Sequence, residues 1–289
     1  MFEGDRHDED RRSGETSRRF LPMSLSSNAI TTLVDNADIS ISHRGTVWYW
    51  AVTGIFSFSA IAFLVGSFVV RNPHVRLQYY LSALSSYILS MAYFAMAANF
   101  GWVAVEVEFP RVGQFVVIDN GTENPTRQVF WIRYAGWLLA TPLLMTQLLL
   151  LINAPLKLIL HEVFMVSIVM MTGLGAALIP NVYKWAYFVY GFIACAALGW
   201  TMLKSGYNHV RATTPSLKRV YLTFCIAVST IFLLYGLAWG MNEGGNFMSP
   251  TGEAVFYGIL DICGGPLYCV FLLWAAHRYY RTEKLQLPI

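Results

Sequence analysis

WIRYAGWLLATPLLMTQLLLLI, Trp131–Ile152, carries a single charge, Arg133. At 1.5 Å rise per residue a helix of this length covers roughly 33 Å, the depth of a bilayer's hydrocarbon core. Six further windows of the same kind flank it: Val47–Val70, Leu77–Ala98, Leu156–Ile179, Tyr183–Leu203, Val220–Met241 and Ala254–Ala276. Hydrophobic residues make up 56% of the 289-residue chain and charged residues 13%, about half the charged share of a soluble domain. The windows therefore predict an all-α membrane protein, a bundle of seven transmembrane helices in the lipid bilayer.

Three segments follow from the windows: residues 1–46, 47–276 and 277–289. The first mixes acids, bases, Ser, Thr and Asn without an apolar core segment, so it reads as a disordered tail with no cleavable signal. Arg71, Arg76, Lys204, Arg211, Lys218, Arg219, Arg278 and Arg281 cluster on one side of the predicted topology. The loops opposite hold only Arg111 and Arg127 beside six acids, among them Glu243 and Glu253. Positive charge stays cytoplasmic, so the N-terminus, Glu243 and Glu253 are expected outside and residues 277–289 inside, in a multi-pass protein of the plasma membrane. FVVIDNGTENP, Phe115–Pro125, alternates around Asn-Gly and predicts a short β-hairpin. Asn120 also begins a glycosylation tripeptide.

The polar residues inside the windows are the candidates for function, because ionisable groups at that depth are costly. Arg133 and Asp261 enter from the same side, and a mutual ion pair helped by tyrosine hydroxyls is the expectation. His161 and Glu162 sit near a helix end, within snorkelling reach of water. Cys195, Cys225, Cys263 and Cys269 all fall in apolar spans and read as buried packing; no spacing suggests a metal. Phe232, Tyr235 and Trp239 recur on one helical face, as do Arg133, Trp137, Ala140 and Leu144. Such stripes pack cores more often than they line cofactors. No nucleophile–base pair, phosphate loop or basic aromatic stripe is present, so neither an enzyme nor a nucleic-acid binder is expected.

WIRYAGWLLATPLLMTQ, Trp131–Gln147, resembles the RYxDWxxTTPLLxxD signature of the microbial rhodopsins, and FLLYGLAW, Phe232–Trp239, resembles their WxxYPxxW signature. NEGGNFMSPTGEAVFYGILD, Asn242–Asp261, is similar to the fungal branch. The resemblance implies a central retinal pocket, here Tyr93, Trp137, Thr141, Gly173, Phe232, Tyr235, Trp239 and Gly265, with Tyr93 beside Asp261. It also exposes departures. The retinal Schiff-base lysine of the family falls on Gly265, its counterion on Gly136 and its proton donor on Gln147, while Ala140 stands for a threonine and Phe232 and Gly236 for Trp and Pro.

The chain thus looks like an opsin-related member that lacks the Schiff-base lysine, of the kind linked to membrane stress and chaperone-like roles. A light-driven pump is not expected. A non-covalent site for retinal, another isoprenoid or a lipid is, with Gly136, Ala140, Gly264 and Gly265 leaving the pocket at least as roomy as in the pigments. The alternative is a fungal photoreceptor or ion transporter working with unattached retinal. Dimers or trimers are the oligomers the resemblance implies.

Overall fold

The computed structural model describes residues 37–111, 114, 116–118, 121–213 and 215–283. Residues 1–36 and 284–289, read above as parts of the two tails, lie outside them. Among the described residues, seven helices are long and apolar enough to cross a membrane: α1 His43–Val69, α2 Pro73–Ala97, α3 Trp131–Leu151, α4 Leu156–Leu178, α5 Lys184–Val210, α6 Leu217–Gly244 and α7 Pro250–Tyr280. Short connections, between all neighbours but α2 and α3, make sequence neighbours pack antiparallel. The expected seven-helix bundle is the observed one.

The turns have local causes. Asn72 caps α2, its Oδ1 accepting from the backbone N–H of His74 at 2.9 Å and Val75 at 3.3 Å, with Pro73 in the first helical position. Arg76 turns back to give the Val70 carbonyl bonds of 3.0 and 2.9 Å at the end of α1, where a cation also suits the helix dipole. Ser249 caps α7 in the same manner as Asn72, with Pro250 following. Helices α5, α6 and α7 each contain one π-helical turn, Met202–Gly206, Gly240–Gly244 and Cys263–Leu267. The last holds Pro266, which lacks an N–H and would clash with the carbonyl four residues back in a regular helix; the wider turn relieves both.

One end of the bundle carries the α2–α3 connection, which forms two antiparallel pairs. β1 (Val103–Glu106) pairs with β4 (Thr126–Val129), and β2 (Val116–Ile118) with β3 (Gly121–Glu123). The expected hairpin is therefore present, but Gly121 lies in β3 opposite Ile118 and not in the turn. The Ile39 N–H donates to the Thr126 carbonyl at 2.9 Å, and the Gln128 N–H to the Ile39 carbonyl at 3.0 Å. Asp38 accepts from the Thr126 N–H and hydroxyl, both at 2.8 Å, and these donors hold its carboxyl below the ordinary carboxylate range. Residues 37–46, assigned by composition to the tail, thus stitch onto the hairpins and begin α1.

Packing is uneven around the bundle. In α2, α3 and α7, 56% of the apolar window is buried, against 17–22% in α4, α5 and α6, so the tight core lies among α1, α2, α3 and α7. Two expectations fail here. Glu162 is not in reach of water: its side chain is 0% exposed, while that of His161 is 38% exposed, because residue 162 faces the bundle and residue 161 the periphery. The cysteines are not uniformly buried either; Cys225 and Cys269 are, Cys195 is half-buried and Cys263 exposed.

Candidate functional site

A cavity of about 450 Å³ lies among α3, α4, α5, α6 and α7. On α3, Trp137, Thr141 and Met145 reach it at spacings of four, and on α6 Phe232, Tyr235 and Trp239 reach it as their spacing predicts. Gly173 of α4 lines it too, where a Cβ would rest 3.5 Å from the Tyr134 ring. Trp239 stacks on Phe188 with centroids 4.9 Å apart, and Trp137 meets Tyr235 edge-on at 6.0 Å. The walls are apolar for most of their area, and the polar groups gather towards the hairpin end.

Tyr93 and Gly265 do not line this space. Gly265 backs onto α1 and α2, and a Cβ there would stand 2.8 Å from Phe56 and 3.7 Å from Leu89. Phe56, fully buried, stacks in turn on Tyr93 at 5.4 Å. Gly136 is closed in the same way, with a Cβ falling 2.8 Å from Ala92. Ala140 is buried in the core. Of the four small residues expected to enlarge the pocket, only Gly264 faces it; neighbouring side chains have taken the room at the others.

Asp261 is fully buried, and both its oxygens accept from phenols, Oδ2 from Tyr93 and Oδ1 from Tyr235. The expected ion pair between Asp261 and Arg133 is absent. Arg133 Nη2 instead donates to Glu243 Oε1 at 2.9 Å and Glu253 Oε1 at 3.1 Å, and its guanidinium lies 3.7 Å from the centre of the Tyr257 ring. The reason lies at the α6–α7 junction, where the last turn of α6 carries Glu243 and the first turn of α7 carries Glu253 to the hairpin end of α3. Neither is a surface carboxylate; their side chains are 2% and 4% exposed.

Glu243 also accepts from the Tyr134 hydroxyl at 2.6 Å and the Tyr257 hydroxyl at 3.0 Å. Glu253 has a second cation, Arg127 of β4, whose Nη2 reaches Oε2 at 2.7 Å. Arg127 Nη1 donates to Asn246 Oδ1 at 2.6 Å and to the Met248 carbonyl at 2.8 Å. Asn246 adopts the left-handed conformation, φ 51°, which asparagine tolerates better than most residues, and its carbonyl accepts from Arg111 Nε at 2.7 Å. Arg111 and Arg127, both of the α2–α3 connection, thus hold the short loop between Glu243 and Glu253. Charge balance in this cluster is two guanidiniums against two carboxylates, with Asp261 served separately by hydroxyls.

Sequence reasoning missed Arg127, Asn246 and Lys184; Lys184 pairs with Glu108 at 3.0 Å. The available signal was the scarcity of bases among the acids of the α2–α3 and α6–α7 connections. At the opposite end Gln147, fully buried and outside the cavity lining, accepts from the Ser82 hydroxyl at 3.3 Å while its backbone carbonyl takes the Gln78 amide at 3.1 Å.

None of the cavity's lining residues is a lysine, and Phe56 stands against residue 265.

Residues 43–279 match the family described as bacteriorhodopsin-like protein. The opsin-like protein carO of Fusarium fujikuroi is 37% identical over 88% of this chain and 80% of its own. The 30 kDa heat shock protein of Saccharomyces cerevisiae is 30% identical, covering 86% of this chain and 78% of its own. Among solved structures, the light-driven proton pump Coccomyxa subellipsoidea rhodopsin CsR is 28% identical with a TM-score of 0.73, over 82% of this chain and 98% of that one. Seven helices around a cavity, matched from the start of α1 almost to the end of α7, make this chain a member of the bacteriorhodopsin-like family, allied to the fungal opsin-like proteins.

Proposed function

We propose that this chain is an opsin-related membrane protein without the retinal-attaching lysine, which holds a lipophile, retinal or another isoprenoid or lipid, non-covalently and does not pump protons under light. The observation that carries the reading is Gly265, sealed by Phe56 beside an otherwise ligand-sized cavity; pockets of a few hundred cubic ångströms with few polar groups are the usual form of small-molecule sites. A light-driven pump needs a group whose proton affinity changes on illumination and carboxylates to relay the proton; Gly136 and Gln147 offer neither at the positions the resemblance marks. The name of the yeast relative supports a role in membrane stress, and no enzymatic step is proposed. The distribution of Lys and Arg supports an orientation with the hairpin end and N-terminus outside, here taken to be in the plasma membrane, and the resemblance supports assembly into dimers or trimers. The test is titration of the purified protein with retinal, read by tryptophan quenching and absorption. Saturable quenching without a new visible band is expected; a visible band that survives denaturation would refute the reading.

The second reading is a photoreceptor or ion transporter using unattached retinal. It draws on the likeness to the Coccomyxa pump and on the Arg133–Glu243–Glu253 cluster. Reproducible photocurrents in retinal-supplied cells would favour it over the first.

A further inference from the structure

We propose that the end of the bundle opposite the hairpins carries a headgroup site for an anionic phospholipid on the outer surface of α5 and α6. Lys204 and Lys218 hold the phosphate, and the acyl chains lie along the exposed apolar side chains next to them. Neither lysine lines the central cavity.

The sequence leaves these two cations without counter-charge. No Asp or Glu occurs between Glu162 and Glu243, a stretch that contains all of α5 and nearly all of α6. Lys204 and Lys218 have no carboxylate partner among the described residues. Each ammonium rests on a ring instead, Lys204 Nζ 5.2 Å from the centre of Trp200 and Lys218 Nζ 5.1 Å from that of Tyr207. Trp200 is 64% exposed, and Lys204 follows it by four residues on the same face of α5. A ring in lipid with a lysine reaching past it to the polar boundary is the interfacial arrangement. Lys218 belongs to α6 and Tyr207 to α5, so its ammonium crosses the seam and stands near Tyr207, which lies roughly 5 Å beyond Lys204 along the helix axis.

The fold fixes the two lysines relative to each other. Lys204 sits in the π-helical turn Met202–Gly206, and the Tyr221 hydroxyl of α6 donates to the Met202 carbonyl of that turn at 2.9 Å. Gly206 leaves room for the same hydroxyl. Next to the lysines, Ile193 and Leu203 of α5 and Ile226 of α6 are exposed, which on a membrane helix means contact with acyl chains. Ile193 precedes Trp200 by two turns, and Ile226 follows Lys218 by eight residues, so each continues the face of its helix away from the charged end. Two uncompensated ammoniums above an apolar face match a phosphate that carries its own chains. A choline headgroup brings a third cation to the site, whereas a glycerol headgroup leaves the phosphate charge for the lysines.

The test places the full-length protein in phosphatidylcholine vesicles containing brominated phosphatidylglycerol or brominated phosphatidylcholine at equal mole fraction. Quenching of Trp200 is read as the difference between the wild type and Trp200→Phe. Trp200 should favour phosphatidylglycerol about fivefold or more, each single variant, Lys204→Gln or Lys218→Gln, should weaken that preference, and the double variant should abolish it. Lys157→Gln removes one exposed charge from the same end of the bundle, on α4, and should leave the preference at Trp200 unchanged. Absence of preference in the wild type overturns the site. A loss with Lys157→Gln as large as with Lys204→Gln also overturns it, because the preference would then belong to the overall charge of that end. Loss of the preference on adding inorganic phosphate at fixed ionic strength would assign the lysines to a soluble anion and overturn the lipid. If the lysine variants fail to fold, the wild type decides by comparison with Trp50, an exposed tryptophan near the hairpin end of α1, read through Trp50→Phe; equal preference at Trp50 and Trp200 overturns the site.

Discussion

Replacing Arg127 by methionine isolates what the loop arginines do. The substitution keeps an apolar stem and removes three charge-assisted bonds, to Glu253 Oε2 at 2.7 Å, Asn246 Oδ1 at 2.6 Å and the Met248 carbonyl at 2.8 Å. Arg127 is 2% exposed, so water cannot readily take over. Breaking a buried pair by removing one partner costs about 3–5 kcal/mol, and each orphaned neutral acceptor about 1–3 kcal/mol. These figures do not add, because Glu253 keeps Arg133 at 3.1 Å and the loop can relax. The expected loss is about 3–5 kcal/mol in total. Denaturant titration in bicelles measures it, with Arg111→Ala as the comparison, since that exposed residue's single side-chain bond to the loop carbonyl should cost less than about 1 kcal/mol. Adding Glu253→Gln should recover part of the Arg127→Met loss, and the size of that recovery is the coupling. A loss below about 1 kcal/mol for Arg127→Met, or full additivity with Glu253→Gln, would refute the claim that this cluster holds the α6–α7 connection.

Tyr93→Phe and Tyr235→Phe should each cost about 0.6–2 kcal/mol by depriving Asp261 of a donor, and the cost should shrink in an Asp261→Leu background; undiminished costs there would assign the tyrosines to packing alone. Gly265→Lys should destabilise by about 1–3 kcal/mol through overpacking against Phe56, and Phe56→Ala should relieve that loss; a single Gly265→Lys variant of wild-type stability would show that the position is not closed. Glu162→Leu should leave stability unchanged or raise it, because the buried carboxyl has no hydrogen bond among the described residues and only a 3.6 Å pairing with His161 Nδ1; clear destabilisation would show that this pairing outweighs the cost of burial. The folded-state pKa of Asp38 is lowered, so its bonds to Thr126 persist above the ordinary carboxylate range and are lost as pH falls through the lowered value. Amide exchange at Ile39 and Gln128 should rise over that acid range, and a flat profile would contradict the stitch.

What the sequence made legible was set by the range of each interaction. Seven apolar windows are local facts, and α3 from Trp131 and α4 from Leu156 begin where the windows do. Helix ends were less legible. α5 continues to Val210 and α6 to Gly244 through π-helical turns with polar residues, which hydropathy truncates. The spacing of Phe232, Tyr235 and Trp239 on α6 alone fixes a common face, and all three reach the cavity. The pairing of Tyr93 with Asp261 was reached through motif resemblance, since the residues are 168 positions apart. Arg133 was assigned the wrong partner because depth in a helix is readable and the path of a loop is not; Glu243 and Glu253 arrive from 110 and 120 residues away. Nothing local to Gly265 signals that Phe56 fills its side. Glycine there suggested a void, and only packing distinguishes it from Gly236, which does face open space.

The most direct test of the account is mass spectrometry of the retinal-saturated protein after borohydride reduction, paired with the tryptophan-quenching isotherm of the same sample. The account predicts a saturable isotherm and no retinyl group on any peptide. A retinyl adduct, or quenching that never saturates, would contradict it.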